Sequence, residues 1–357
     1  MHLAMALPER EAEGAKYAEW LQQTKDGAAG ALVKISVARN PALSGAIFDD
    51  ILAELLQRIR DGDTISGEKR ISLGQELQEK LAEGLEVHGN RFSTTRLRDL
   101  FWTFYSQLAQ KPPIQGASIL DLGSGSHNPF GLLFIFVMLG ARKGSAIDLE
   151  IMQDPPRAFR AMARSAEVML VEPSRIVGNY PISRAQIEQN LSSFDLTALR
   201  EGKSSGIDLS RLNFQRDSAA QISIESSSID IIMSNSFLEH VDDLEAIIGE
   251  MARVTIPGGV SIHAIDTIDH TSYGDPSCHP LQFLRVSKPG MINGCNRIRI
   301  LEFPALFERH GFEIQQVIPI KKIEVDDTMR QSFAPAWRTM PQNFLEVVQG
   351  LIVSRRI

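Results

Sequence analysis

The sequence predicts an α/β fold, a mostly parallel sheet carrying helices on its faces, with a helical region ahead of it. Three observations predict it. From residue 117 onward, short apolar runs alternate with turns and helically spaced apolar stripes. A glycine turn, Gly123-Ser124-Gly125, joins the first of those runs (119–122) to a long apolar stretch, Phe130 to Leu139. Upstream of Lys111-Pro112-Pro113 the apolar spacing is helical only, and consecutive prolines reset the chain there.

The 357 residues allow one large domain or two smaller ones, and 43% hydrophobic content supplies a real core. The boundaries read as a helical region over 1–113 and a sheet domain over 114–357, with inserts near 172–212 and 266–296. A formal charge of −7 argues against a broad phosphate-binding surface, so no nucleic-acid partner is expected. Two cysteines, Cys278 and Cys295, make no disulfide framework and point to a reducing compartment. The opening MHLAMALPERE has no basic leader or cleavage pattern, and Phe130 to Leu139 is about half the ~20 residues of a membrane span. A cytoplasmic location without membrane attachment is the expectation.

Three stripes fall in the helical region. They are Ile47, Phe48, Ile51, Leu52, Leu55 and Ile59; then Leu73, Leu77, Leu81 and Leu85; then Leu97, Leu100, Phe101, Phe104 and Leu108, with Trp102 and Tyr105 alongside. Their ordinary role is packing on the main domain; the sharper one is a lid over a substrate pocket or a dimerisation element.

In the sheet domain, Ile119 to Leu122 reads as a first buried strand and Gly123 and Gly125 as a turn where main chain can approach a ligand. Free amides at the start of the next helix would suit a carboxylate or phosphate. Ser145 to Leu149 is a second strand. Asp148 on it lies 23 residues beyond Gly125, near the ~20 at which dinucleotide folds place a ribose-binding acid. A carboxylate there can accept bonds from both ribose hydroxyls; capping the following helix is its other use. A helix is expected at Arg184 to Leu191, a third strand at Asn213 to Arg216 ending at Asp217 and Ser218, and a fourth at Ser228 to Ser234. Leu238, Val241, Leu244, Ile247, Ile248, Met251 and Val254 mark an amphipathic helix, with Ser236 and Glu239 in the form of a capping box and Pro257-Gly258-Gly259 as its stop. Val260 to Ile265, Phe312 to Pro319 and Val347 to Ser354 complete the strands, and Glu302 to His310 the helices. The 266–296 stretch is irregular and suits substrate contacts.

In this order and spacing, LDLGSGS, Asp148, Asp217, SIDIIMSNSFLEHV, IPGGV and ERHGFEI resemble the class I methyltransferases that use S-adenosylmethionine, of the type 11 kind. The resemblance covers residues from 114 on. It implies a Rossmann-like seven-stranded, mostly parallel sheet with an antiparallel last strand, and S-adenosylmethionine as cofactor. It implies Gly123, Ser124 and Gly125 as the loop under the methionine moiety, with Asp121 fixing that loop. Asp148, with Leu149 beside it, becomes the ribose acid, Asp217 with Ser218 the adenine contact, and Ser234 and Asn235 the strand-four contact. The usual third glycine is replaced by His127, followed by Asn128 and Pro129; His127 either bonds the cofactor carboxylate or caps the helix.

Methyl transfer to an acceptor needs alignment and, for some acceptors, removal of a proton. His270, Asp269 and Asp266 lie at the carboxyl end of strand five, with His270 the candidate base and loop anchoring its ordinary alternative. His240 reads as structural and Glu239 as part of the cap. Cys278, His279, Cys295 and His270 have no familiar ligand spacing, so no metal is expected. Arg297 and Arg299 read as solvated, or as a grip on an acidic acceptor. The expected activity is methyl transfer to oxygen of a small-molecule or saccharide-like acceptor. A nicotinamide-dependent oxidoreductase, which the same glycines and acid would serve, and a non-catalytic binding protein are the alternatives.

Overall fold

A computed structural model of the chain describes residues 89–357 other than 276, 288 and 289. The stripes at 47–59 and 73–85, and with them most of the expected lid or dimerisation region, lie outside these residues. Seven strands form one sheet in the order β3-β2-β1-β4-β5-β7-β6. They are β1 Ser118–Leu122, β2 Lys143–Asp148, β3 Leu212–Arg216, β4 Ile229–Asn235, β5 Thr255–Asp266, β6 Phe312–Lys322 and β7 Val347–Arg356. The pairs within β3-β2-β1-β4-β5 are parallel, and β7 runs antiparallel to both β5 and β6.

The apolar runs form strands because both faces are covered. On one face lie α1 (Thr94–Phe101), α2 (Gly131–Met138), α3 (Pro155–Val171) and α4 (Arg184–Leu191). All eight residues of α2 are buried, which accounts for its apolar character on every side. Leu97, Phe101, Phe104, Tyr105 and Leu108 of the third stripe pack into this same core, while Trp102 is exposed. The insert 172–212 is helical and joins it through Ile176, Ile187, Leu191 and Leu199. On the opposite face lie α5 (Leu244–Val254) and α6 (Phe303–Arg309).

Two boundaries differ from expectation. Ser236 has φ 49° and a 3-10 turn follows at Leu238–His240, so α5 begins only at Leu244. Its cap is Asp243, which accepts from the Ala246 amide, and the Ser236/Glu239 box does not form. Pro257-Gly258-Gly259 does not stop the helix: it lies within β5 as an irregularity, where the register against β4 shifts and Gly258 adopts φ 80°.

The 266–296 segment has its own small core, in which Ile268, Leu281, Phe283 and Leu284 meet Phe333, Trp337 and Leu345. Arg297 and Arg299 belong to it, buried and not solvated or directed at an acceptor. Arg297 donates to the carbonyls of Phe283, Val286, Ser287 and Gly290. Arg299 donates to those of Thr267, Phe344 and Leu345. Each guanidinium satisfies carbonyls that irregular buried chain would otherwise leave unpaired. Among the described residues no helix is long and apolar enough to cross a membrane.

Candidate cofactor and acceptor site

The strand order reverses between β1 and β4, and the carboxyl ends there are level: Leu122 faces Ile147 of β2 and Ser234 of β4. Ligands of open α/β sheets bind outside such a point. The turn after β1 is tied down at once. The Gly123 and Ser124 amides both donate to Ile147 O, at 2.9 and 3.2 Å. The Gly125 amide donates to Asp148 Oδ2 at 2.8 Å, and Asp148 Oδ1 accepts from the Glu150 amide at 2.9 Å. Gly123 has φ 64°, and a Cβ there would stand 2.2 Å from the Phe237 ring; Gly125 has φ 79° with open space beside it. Loop and acid are therefore in direct contact, on one side of the sheet.

A cavity of about 400 Å³ opens over this turn. Its floor includes Asp121, Gly123, Ser124, Gly125, His127 and Asn128; Asn235, Ser236 and His240 line the β4 side, and Arg91, Arg96, Leu97, Leu100 and Phe104 the helical wall. Among the described residues no loop amide bonds to Asp121, and Asp148 holds that of Gly125; Asp121 lines the cavity. Burial and the charge of Asp148 push the Asp121 carboxyl up to about 8. Ser124 Oγ and Asn128 Oδ1 are buried and have no hydrogen-bond partner among the described residues. Orphaned buried polar atoms, an open glycine cradle and the Asp121 carboxyl fit the amino-acid end of S-adenosylmethionine.

The other expected cofactor residues are distributed differently. Leu149, just beyond Asp148, leaves 66% of its surface exposed. Asp217 spends its oxygens on the amides of Ser218 and Ser223, at 2.9 and 2.7 Å. Leu149, Asp217 and Ser218 follow the ends of β2 and β3, outside the cavity lining. Ser234 turns inward: it is fully buried, with Oγ 2.8 Å from His263 Nδ1. His263 Nε2 in turn meets Ser261 Oγ at 2.8 Å, and that hydroxyl meets Ser354 Oγ at 3.0 Å. Ser234 is thus one end of a buried polar chain across β4, β5 and β7.

Beyond β5 the three expected catalytic residues separate. Asp269 is buried and accepts from the Thr271 amide and Asn293 Nδ2, at 3.1 and 3.0 Å, so it anchors the loop. Asp266 accepts from Tyr273 Oη, Gln349 Nε2 and the Ile268 amide. His270 Nε2 is 3.9 Å from Asp266 Oδ2 and has no hydrogen-bond partner among the described residues. Burial, as the largest cause, lowers the His270 pKa. Two neighbours, read from the sequence as structural and as part of a helix cap, lie beside them. His240 lines the cavity, its ring 4.8 Å from that of His270, and its Nδ1 donates to Gly294 O at 2.8 Å. Glu239 is wholly buried; one oxygen accepts from the Asp266 amide at 3.1 Å and the other is unpartnered among the described residues. Burial pushes Glu239 up to about 8. The signal for His240 was its place just after β4, obscured by assigning it to a helix.

Cys278 and His279 take no part in this cluster. Among the described residues His240, His270 and Cys295 each place one ligand-type atom within 4.8 Å of the other two. Burial, with the charge of Glu239 next, holds the Cys295 thiol up at about 11.

The sheet order with its reversed seventh strand, and the glycine turn clasped by the acid of β2, define the class I S-adenosylmethionine-dependent methyltransferase fold. S-adenosylmethionine is the cofactor of that class. A family model described as a methyltransferase domain matches residues 188–263, from within α4 into β5. None of the curated proteins compared matches the chain. Solved structures similar to it include an S-adenosylmethionine-dependent methyltransferase from Methanosarcina mazei, with 17% identity, 68% of this chain and 93% of that one covered, and a TM-score of 0.37. The geranyl diphosphate C-methyltransferase of Streptomyces coelicolor gives 13% identity, 83% and 86% coverage and 0.38. The cyclase SpnF gives 14% identity, 73% and 81% coverage and 0.39.

Proposed function

We propose that this chain transfers the methyl group of S-adenosylmethionine to a hydroxyl of a small-molecule or saccharide-like acceptor. The observation that carries the reading is one cavity with the glycine turn and Asp121 on its floor and His240 on its rim. The cofactor supplies a methyl group already activated on a sulfonium. Asp121, Ser124 Oγ and Asn128 Oδ1 would hold its ammonium. Asp148 would hold the ribose hydroxyls, Leu149 would lie against the base, and Asp217 and Ser218 would border it.

His240 has its Nδ1 proton committed to Gly294 O, which leaves Nε2 as a proton acceptor. It would take the acceptor's hydroxyl proton as the oxygen–methyl bond forms and the methyl–sulfur bond breaks. His270, packed against it, and the Tyr273–Asp266 pair behind are assigned to orienting His240. Leu97, Leu100 and Phe104 would exclude water. Calorimetric titration with S-adenosylhomocysteine tests the cofactor half: saturable binding is expected, and its absence overturns the reading. Assay of hydroxylated acceptors with labelled cofactor tests the rest. For any acceptor turned over, His240→Ala should lower kcat by about 100-fold or more, and unchanged kcat would remove His240 from the role.

A further inference from the structure

The cavity is electrically two-ended. Its acid, Asp121, feels the charge of Asp148, while the wall carries two guanidinium groups, Arg91 and Arg96. Arg96 has no hydrogen-bond or ion-pair partner for its guanidinium among the described residues. Asp99, the carboxylate that bears on it, is paired with Arg98 at 3.2 Å on the exposed side. Burial and the neighbouring charge of Arg91 both press Arg96 away from its charged form. Arg91 and Arg96 thus turn two like charges to one cavity, and among the described residues no carboxylate lies within ion-pair distance of either.

The segment carrying them is fastened to the site. Asn128 Nδ2 donates to Arg91 O at 3.2 Å, Arg164 donates to Phe92 O at 3.2 Å, and Ser93 Oγ caps α1 at the Arg96 amide. Arg91 Nη1 lies 3.1 Å from His127 Nδ1, so the residue in place of the third glycine is engaged with an arginine. The turn's amides, meanwhile, are spent: those of Gly123, Ser124 and Gly125 all bond within the protein. A carboxylate entering this cavity cannot take its donors from those three amides.

We propose that Arg91 and Arg96 form a carboxylate clamp, the cationic counterpart of Asp121 in one site for a zwitterion. The inference rests on the proposed cofactor site and names the group that holds the ligand's acid end. The carboxylate comes from the cofactor's amino-acid moiety or from an acidic acceptor beside it.

The test titrates S-adenosylhomocysteine and its decarboxylated analogue into the wild-type chain, Arg96→Gln and Arg96→Lys, with melting curves to confirm folding. In the wild type the analogue should bind about 10- to 100-fold more weakly than the parent. Arg96→Gln should bring that ratio close to one, and Arg96→Lys should restore part of it. A second arm follows labelled acetate by NMR, with and without saturating S-adenosylhomocysteine. A ratio unmoved by Arg96→Gln, with acetate binding to the saturated protein lost in that variant, assigns the clamp to the acceptor. If neither readout moves, or both ligands weaken equally, the clamp is refuted. Failure of the wild type to bind S-adenosylhomocysteine, with Arg96-dependent acetate binding kept in the free protein, would remove the cofactor reading and leave the clamp.

Discussion

Asp148→Asn separates the loop-holding role of this residue from its proposed ribose-holding one. The carboxylate now accepts two amides, Gly125 at 2.8 Å and Glu150 at 2.9 Å. An asparagine of the same shape has one oxygen and so keeps one of them, turning an NH₂ donor toward the other. Loss of one charge-assisted bond at a half-buried site costs about 1–2 kcal/mol of stability, a change of a few degrees in Tm. Cofactor binding should suffer more, because the ribose hydroxyls would lose a charged acceptor while the turn beneath them loosens. A drop in S-adenosylhomocysteine affinity of about 10- to 100-fold is expected. Calorimetry measures it, and amide hydrogen exchange at 123–126 reports the turn independently. Loosened amides with affinity kept within about twofold of wild type would refute the reasoning, since Asp148 would then brace the turn without touching a ligand.

The remaining predictions concern buried groups. Asp121 and Glu239 both titrate near 8 in the folded chain, far above ordinary carboxylates. The folded state therefore keeps protons that the unfolded state releases, and stability should fall as pH rises from about 4 toward 8; Asp121→Asn and Glu239→Gln should flatten that slope in urea melts taken at several pH values, and an unaltered slope would contradict the assignment. His263 works on the acid side. Burial lowers it to about 3, so its contribution is complete above about 6.5 and is lost as pH falls toward 3. His263→Ala should cost about 3–5 kcal/mol, leaving a cavity and the hydroxyls of Ser234 and Ser261 short of a partner, and a loss under 1 kcal/mol in denaturant titration would count against the chain of bonds. Arg299→Leu should destabilise by about 2–4 kcal/mol, because the carbonyls of Thr267, Phe344 and Leu345 lose their donor; the same titration checks it.

What was legible in the sequence was what local chemistry dictates. Gly123 and Gly125 announced backbone that other residues resist, and Ile229 to Met233 announced a strand covered on both faces. The spacing from Gly125 to Asp148 was read as that of a ribose acid, and in the fold the two residues share a hydrogen bond. What failed depends on partners distant in the chain. Leu238 and Val241 continue a helical stripe, so periodicity carried the helix across a 3-10 turn and hid His240. Glu239 meets the Asp266 amide 27 residues on, and Ser234 meets His263 29 residues on. Nothing in either neighbourhood distinguishes a cap from a buried acid, or a ligand contact from a link across the sheet. Arg96 escaped because the third stripe was read through its apolar positions alone.

The reversed strand has a consequence for how the molecule comes into being. β5 and β6 share no ladder; each pairs only with β7 at that end of the sheet. The ten residues Val347–Arg356, synthesised after the other six strands of this sheet, are therefore its keystone. During translation the five parallel strands around the cavity are free to assemble early, whereas the segment holding β6 must wait unpaired until the ribosome has delivered its neighbour.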